Sequence, residues 1–388
     1  MAKSKWLRQQ KPSRRVVLAL LPCVAGGVYF FGWRSLAMVV AACAAGYLFE
    51  WIFCRTRKEA VSEAVFVTGT LFALIMPPTV SWHVIIIGMA VAVMMAKEVF
   101  GGFGRNIFNP AMGGRAFVYV CFAGAMTATW APNIYDLPGT RWYGALNRWS
   151  TGRVTAEEAA ALREANELET ARAAWRETKP RWRIYEDRDA LHAWTGATPL
   201  GEMKDKQQDI LLFEATSQPA EKIARAVEIV EEDRLSFRAL LLGTKAGTMG
   251  VTSALLILIG GVYLYWTKTA SRTIILSTIL SCAAVSQLLY MFGVRPSGDA
   301  LRTVLSGGFL LGAFYMATDP VSSPKTEMGR VLYGVIIGSL RVIIQNFSAF
   351  NGGLMFAILI GNMFAPSLDA AVRARKAAKA ARAAKEAA

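Results

Sequence analysis

Histidine is nearly absent: His83 and His192 are the only two in 388 residues. They lie far apart in sequence and neither sits at metal-ligand spacing, so a zinc centre is not expected. The five cysteines, Cys23, Cys43, Cys54, Cys121 and Cys282, form no C-x-x-C pair. All lie in or at the ends of apolar runs, where a thiol behaves as a small hydrophobe. Acids are also scarce, with 28 Asp and Glu against 43 Lys and Arg. No removable leader is evident: the first apolar run is long and no small-residue cleavage site is convincing. These shortages argue against a metal site and a dithiol redox motif.

Apolar residues fill the space instead, at 54% of the chain. They fall in runs of the length that crosses a hydrocarbon core of ~30 Å. Ten spans are expected, at 16–33, 35–54, 61–77, 82–100, 106–130, 239–265, 270–293, 301–318, 331–349 and 353–372. The expected fold class is therefore an all-α polytopic membrane protein. Its parts are a basic tail at 1–15, a first membrane repeat at 16–130, a polar insertion at 131–236, a second repeat at 237–372 and a basic tail at 373–388.

The net charge of +15 is unevenly spread. The insertion holds 15 Lys and Arg and 19 Asp and Glu, about −4, which leaves about +19 elsewhere. A basic chain raises nucleic acid as a partner. Here the bases sit beside apolar spans, so the positive-inside rule accounts for them and no nucleic acid is expected. Six bases lie in residues 1–15 and six more in 373–388. Arg55, Arg57, Lys58, Lys97, Arg105, Lys268, Arg272, Lys325 and Arg330 follow even-numbered spans. Both termini are thus expected in the cytoplasm and the insertion on the outer face.

An internal repeat is visible. Thr68-Gly69-Thr70 opens an apolar run that ends at Pro77-Pro78, and Ser306-Gly307-Gly308 opens another that ends at Asp319-Pro320. Each is followed by another span and then a glycine pair, Gly101-Gly102 or Gly352-Gly353. The units lie five spans apart, and an odd offset makes the repeat inverted. Proline stops a helix by removing a donor and clashing with the preceding turn. Within the bilayer, such a break must be buried in protein or line a polar cavity; at the water interface it needs no such role.

The insertion carries Thr195-Gly196-Ala197-Thr198-Pro199. Pro199 suits a first helical position, with Thr198 as the cap. A phosphate on the Thr198 oxygen would meet a helix N-terminus, where free N–H groups favour anions. Gly196 and Ala197 leave room for a bulky group. A plain helix cap is the alternative.

Several longer stretches carry a resemblance. They are Lys97-Glu98-Val99-Phe100-Gly101-Gly102-Phe103-Gly104-Arg105-Asn106, Phe108-Asn109-Pro110-Ala111, Gly114-Arg115-Ala116-Phe117, Met316-Ala317-Thr318-Asp319-Pro320-Val321 and Phe364-Ala365-Pro366, together with the threonine motif. In this order they resemble the B subunit of the sodium-translocating NADH:quinone reductase. The related D subunit of the Rnf complex is the alternative, and Gly114-Arg115-Ala116-Phe117 favours the first. The resemblance implies a translocase subunit in a six-subunit complex of the bacterial inner membrane. It implies FMN bound covalently by phosphoester to Thr198 after the action of a flavin transferase, with riboflavin as a second cofactor. The implied substrates are a quinone, ubiquinone or menaquinone, reduced near Gly101 and Gly102, and the sodium ion.

Three positions depart from the family pattern. His192 stands where an Asp usually precedes the modified threonine, and Val251 and Gly352 stand where acids are common. Intramembrane ionisable groups are costly and mark function. Asp319 and Asp369 match acidic family positions, Glu63 and Glu98 are ion-path candidates from position, and Arg341 and Lys245 are candidate counter-charges. A secondary transporter without flavin remains the reading from a different class.

Overall fold

The structure is a computed structural model that describes residues 6–123, 126, 146, 237–244, 247–292, 294, 299–306, 308–348 and 353–386. Helix dominates these residues, and many large apolar side chains, among them Leu18, Val40, Leu48, Val262 and Leu280, face outward. An apolar exterior around helices is what a multi-pass membrane protein presents to lipid.

The chain opens with β1 (Leu7–Arg8), which pairs in parallel with β2 (Val61–Ser62). Each strand has only 2 residues, so the chain stays mostly helical as expected, and the pair delays the third span, whose helix starts at Ala64 and not at 61. Helix α1 (Lys11–Phe31) carries Pro12 in its first turn, where no N–H is missed. It ends at Gly32, and α2 (Trp33–Arg57) follows at once. Helix α3 (Ala64–Leu74) ends ahead of Pro77-Pro78, as the prolines dictate. Helix α4 (Trp82–Ala90) continues in wide π turns over Val91–Glu98. Helix α5 (Pro110–Cys121) starts on an Asn109 cap.

Beyond the insertion lie α6 (Phe237–Leu242), α7 (Ala254–Trp266) and α8 (Arg272–Met291). The next apolar run is divided into α9 (Ala300–Leu305), α10 (Phe309–Leu311) and π turns over Gly312–Met316. The last helices are α11 (Glu327–Phe347) and α12 (Gly353–Glu386).

Four described helices are long and apolar enough to cross a membrane: α1, α2, α8 and α12. Among the described residues the sixth and eighth expected spans leave the helix at Gly243, Thr244 and 247–253 and at Ser306 and Gly308, and α3 has only 11 residues. Both interruptions carry glycine in the left-handed region, Gly243 at φ 85° and Gly308 at φ 73°. Hydropathy averaged over a span-length window hides these short stretches rich in glycine, serine and threonine, so span counting passes over the breaks.

Packing is tightest where side chains are small. Ser281 Oγ donates to Gly334 O at 3.2 Å, and a β-carbon on Gly338 would collide with Thr278 O. Glycine and serine at such contacts let α8 and α11 approach closely, the usual device where lipid supplies no hydrophobic drive. Phe72, Leu74, Ile75, Met76, Ile85 and Met89 form the centre of the core around α3 and α4.

Candidate functional site

The loop between the π turns and α5 is built on glycine. Gly101, Gly102 and Gly104 have φ of 104°, 90° and 91°, a region that side-chain-bearing residues rarely enter. The loop returns onto the helix end: Gly101 N donates to Glu98 O at 2.9 Å and Gly102 N to Lys97 O at 3.1 Å. A β-carbon on Gly102 would lie 2.8 Å from Arg57 Nη2 and 3.4 Å from Glu98 Oε2. The two candidate glycines therefore lie directly against a candidate carboxylate.

That carboxylate belongs to a buried charge cluster. Glu98 pairs with Arg57 at the end of α2, while its side chain is fully buried. Its second oxygen, Oε1, has no hydrogen-bond partner among the described residues. Lys97 Nζ lies 2.5 Å from Glu50 Oε2, with side chains 3% and 2% exposed. Ser62 N donates to Glu50 Oε1 at 3.0 Å. Glu50 and Arg57 are seven residues apart, so both sit on one face of α2 and meet consecutive residues of the π turns. Phe103 closes the loop, with Lys97 Nζ at 5.8 Å and Arg8 Cζ at 5.9 Å from its ring centre.

Sequence reasoning misses Glu50, Arg57 and Lys97 as members of a site. An acid inside the apolar stretch Leu48-Phe49-Glu50-Trp51 is the signal available for the first. Buried charges of this kind require partners, since each ion loses several kcal/mol of hydration. Glu63 lies nearby with a different task. It accepts from Arg14 Nη2 at 2.7 Å and from Gln10 N at 2.6 Å, so it ties the N-terminal segment to the start of α3.

Asp319 and Asp369 each bond to the segment between the second π turns and α11. Asp319 Oδ1 accepts from Val321 N at 3.2 Å and Oδ2 from Ser322 Oγ at 2.8 Å, which folds the turn after the π segment. Asp369 on α12 accepts from Lys325 N at 2.8 Å, Thr326 N at 2.9 Å and Thr326 Oγ1 at 2.7 Å. Thr326 in turn caps α11 through Gly329 N. Tyr333 donates to Asn362 Oδ1 at 2.7 Å, and Asn362 Nδ2 has no partner among the described residues.

Arg341 is 2% exposed. It does not meet a carboxylate among the described residues. It donates to Thr303 O at 3.2 Å and lies over the Phe309 ring at 5.4 Å. Carbonyls at a helix C-terminus carry partial negative charge, so the end of α9 is its counterpart. The described residues hold no group of three or more His, Cys, Asp or Glu placed to bind a metal. Thr195, Gly196, Ala197, Thr198, His192, Lys245 and Gly352 lie outside the described residues, as does nearly all of 131–236.

Comparison with known proteins settles the family. Residues 5–378 match the NQR2, RnfD, RnfE family. The chain belongs to this family. Among its relatives, the D subunit of the ion-translocating oxidoreductase complex of Stutzerimonas stutzeri is 30% identical over 366 residues, 93% of this chain and 89% of the relative. Its counterpart from Salmonella newport (strain SL254) is 29% identical over 386 residues, and that of Escherichia coli (strain SMS-3-5 / SECEC) 28% over 386 residues. Each of these two alignments covers 97% of both chains. Family and helices together make this NQR2, RnfD, RnfE member a multi-pass membrane protein of a redox-complex family, and its named relatives are subunits of a larger assembly.

Proposed function

We propose that this chain is the D-type membrane subunit of an ion-translocating oxidoreductase complex. The observation that carries this reading is similarity to D subunits along nearly the whole chain. It favours the Rnf-type alternative over the sodium-translocating NADH:quinone reductase. Gly114-Arg115-Ala116-Phe117 remains the feature that favours the latter. Val251 and Gly352 stand where acids are common in the family, so the coupled ion is proposed as a small cation and not specifically as sodium.

In this reading the protein carries FMN on Thr198, attached by a flavin transferase, and riboflavin is the second flavin. The flavins supply one-electron transfer, while the protein supplies position and charge. Thr198 bonds the flavin phosphate, with Thr195, Gly196 and Ala197 shaping the approach. Glu98, Arg57, Lys97 and Glu50 anchor the helix end from which the glycine loop leaves at Gly101 and Gly102, where a quinone would dock if the complex reduces one. Asp319 and Asp369 shape the turn that an ion route would cross. The inverted repeat, cytoplasmic termini and inner-membrane location belong to the same proposal.

The test is fluorescence of the denatured chain in a gel, because a covalent flavin survives denaturation. Wild type should fluoresce and Thr198→Ala should not, with the chain still inserted in the membrane. Thr195→Ala should weaken attachment less. Equal fluorescence of Thr198→Ala and wild type rules out the attachment site, and a dark wild type favours the flavin-free transporter. Copurified partner subunits then separate the Rnf-type complex from the sodium-translocating reductase.

A further inference from the structure

Asn109 ends the glycine loop and starts α5. Its Oδ1 accepts from Met112 N at 3.3 Å, the bond expected of a helix cap. Its Nδ2 donates to Met316 O at 3.1 Å, across 207 residues of sequence. Asn109 is 4% exposed, and both bonds are buried.

Met316 is the last residue of the second π segment. Its carbonyl also accepts from Asp319 N at 3.4 Å. One oxygen therefore takes a bond from Asn109 and a bond from the residue that folds the next turn. On the other side, the path from Asn109 to Gly102 is short and internally bonded. Asn106 Nδ2 donates to Phe108 O at 3.0 Å, and Arg105 N to Gly102 O at 3.2 Å.

The residue type fits this double task. Asp caps helices as well as Asn but has no donor for a carbonyl. Ser caps a helix with a hydroxyl too short to reach a second segment. Asn joins an acceptor and a donor on one rigid amide. Pro110 at the first helical position leaves the cap geometry preset.

We propose that Asn109 is the positioning residue that couples the glycine loop to the Asp319 turn, so that a rearrangement at one is felt at the other. This rests on the redox-driven ion transport proposed above. Loop movement on reduction pulls on Met316 O through the amide. The pull alters the turn that Asp319 folds.

The experiment uses the whole complex in sealed vesicles, with electron transfer and ion movement measured together. Asn109→Ser and Asn109→Thr keep a hydroxyl cap for α5, add no buried charge and lose the bond to Met316 O. Both should keep assembly and most electron transfer, while ions moved per electron fall about two- to ten-fold, the range one buried hydrogen bond spans. Asn109→Ala loses both bonds and should lower thermal stability as well. Unchanged ions per electron in both Ser and Thr variants overturns the proposal and leaves Asn109 a helix cap. If one variant fails to assemble, the other decides. Wild-type vesicles that move no ions during electron transfer refute the functional reading itself, and the coupling role falls with it.

Discussion

Gly102→Val tests whether the loop glycine is required by its neighbours or only by its own backbone. Two costs are separable. A β-branched residue at φ 90° is strained by about 1–3 kcal/mol. The second cost is electrostatic. The new β-carbon would sit 2.8 Å from Arg57 Nη2, so the guanidinium must withdraw from Glu98. Arg57 is 28% exposed and has Glu59 Oε2 3.5 Å from its Nε, so it has somewhere to go. Glu98 is enclosed, and stranding a buried charge costs about 3–5 kcal/mol. The electrostatic cost is the larger, and together they approach the whole stability of an ordinary domain, about 5–15 kcal/mol.

A double-mutant cycle separates the two. Unfolding is followed by tryptophan fluorescence on the detergent-solubilised chain. Gly102→Val alone should cost about 4–8 kcal/mol. In a Glu98→Gln background there is no charge to strand, and the same substitution should cost only the strain, about 1–3 kcal/mol. Gly102→Ala in the wild-type background should fall between these limits. An equal cost of Gly102→Val in both backgrounds refutes the reasoning and reduces Gly102 to a turn residue. On the functional side, Gly102→Val should impair any quinone reduction or inhibitor binding while leaving flavin on Thr198.

The Glu50 and Lys97 pair makes a parallel prediction. Lys97→Met strands Glu50 and should cost about 3–5 kcal/mol, whereas the Lys97→Met, Glu50→Gln double variant should regain most of it, because Gln still accepts from Ser62 N; a double variant as unstable as the single one contradicts this. Asp369→Asn should destabilise by about 1–3 kcal/mol, since one carboxylate oxygen facing N–H and O–H donors becomes an NH₂. Asp319→Asn, with fewer backbone bonds to lose, should cost less in thermal unfolding and should lower ion dependence more. Full ion-dependent turnover in both aspartate variants makes these carboxylates structural and moves the ion route elsewhere.

Local chemistry is legible in the sequence, and long-range pairing is not. Pro77 and Pro320 end helical segments because proline acts on its own turn, and α3 and the second π segment do stop ahead of them. The apolar runs of α1, α2, α8 and α12 appear as long helices. Glu63 and Arg341 stand out in the sequence as charges in apolar surroundings. Their partners, Arg14 and Gln10 for one and Thr303 O for the other, depend on which segments meet. The pairing of Glu98 with Arg57 spans 41 residues and that of Lys97 with Glu50 spans 47. The breaks before α7 and α10 fall on glycine, serine and threonine, Gly243, Thr244, Gly247, Thr248, Gly250, Thr252 and Ser253 in one and Ser306 and Gly308 in the other, a signal that counting spans by averaged hydropathy passes over.

Those breaks share a physical problem. A helix that stops among apolar helices leaves carbonyls unbonded, and no water in the hydrocarbon region can serve them. Several such carbonyls here borrow a donor from a distant segment. Leu74 O accepts from Gly250 N at 2.8 Å, and a β-carbon on Gly250 would lie 2.5 Å from Leu74 Cβ, so only glycine permits that approach. Val80 O accepts from Arg34 Nη2 at 2.7 Å, Thr303 O from Arg341 and Met316 O from Asn109. Each donor crosses from another part of the chain, and two of them join residues before the insertion to residues after it. Irregular backbone bonded to a distant segment does not rearrange alone, because each local movement strains or breaks a bond belonging to that segment. If the chain works as proposed above, these bonds are where a movement in one segment would reach another, a link that uninterrupted helices, which satisfy their own carbonyls, do not supply.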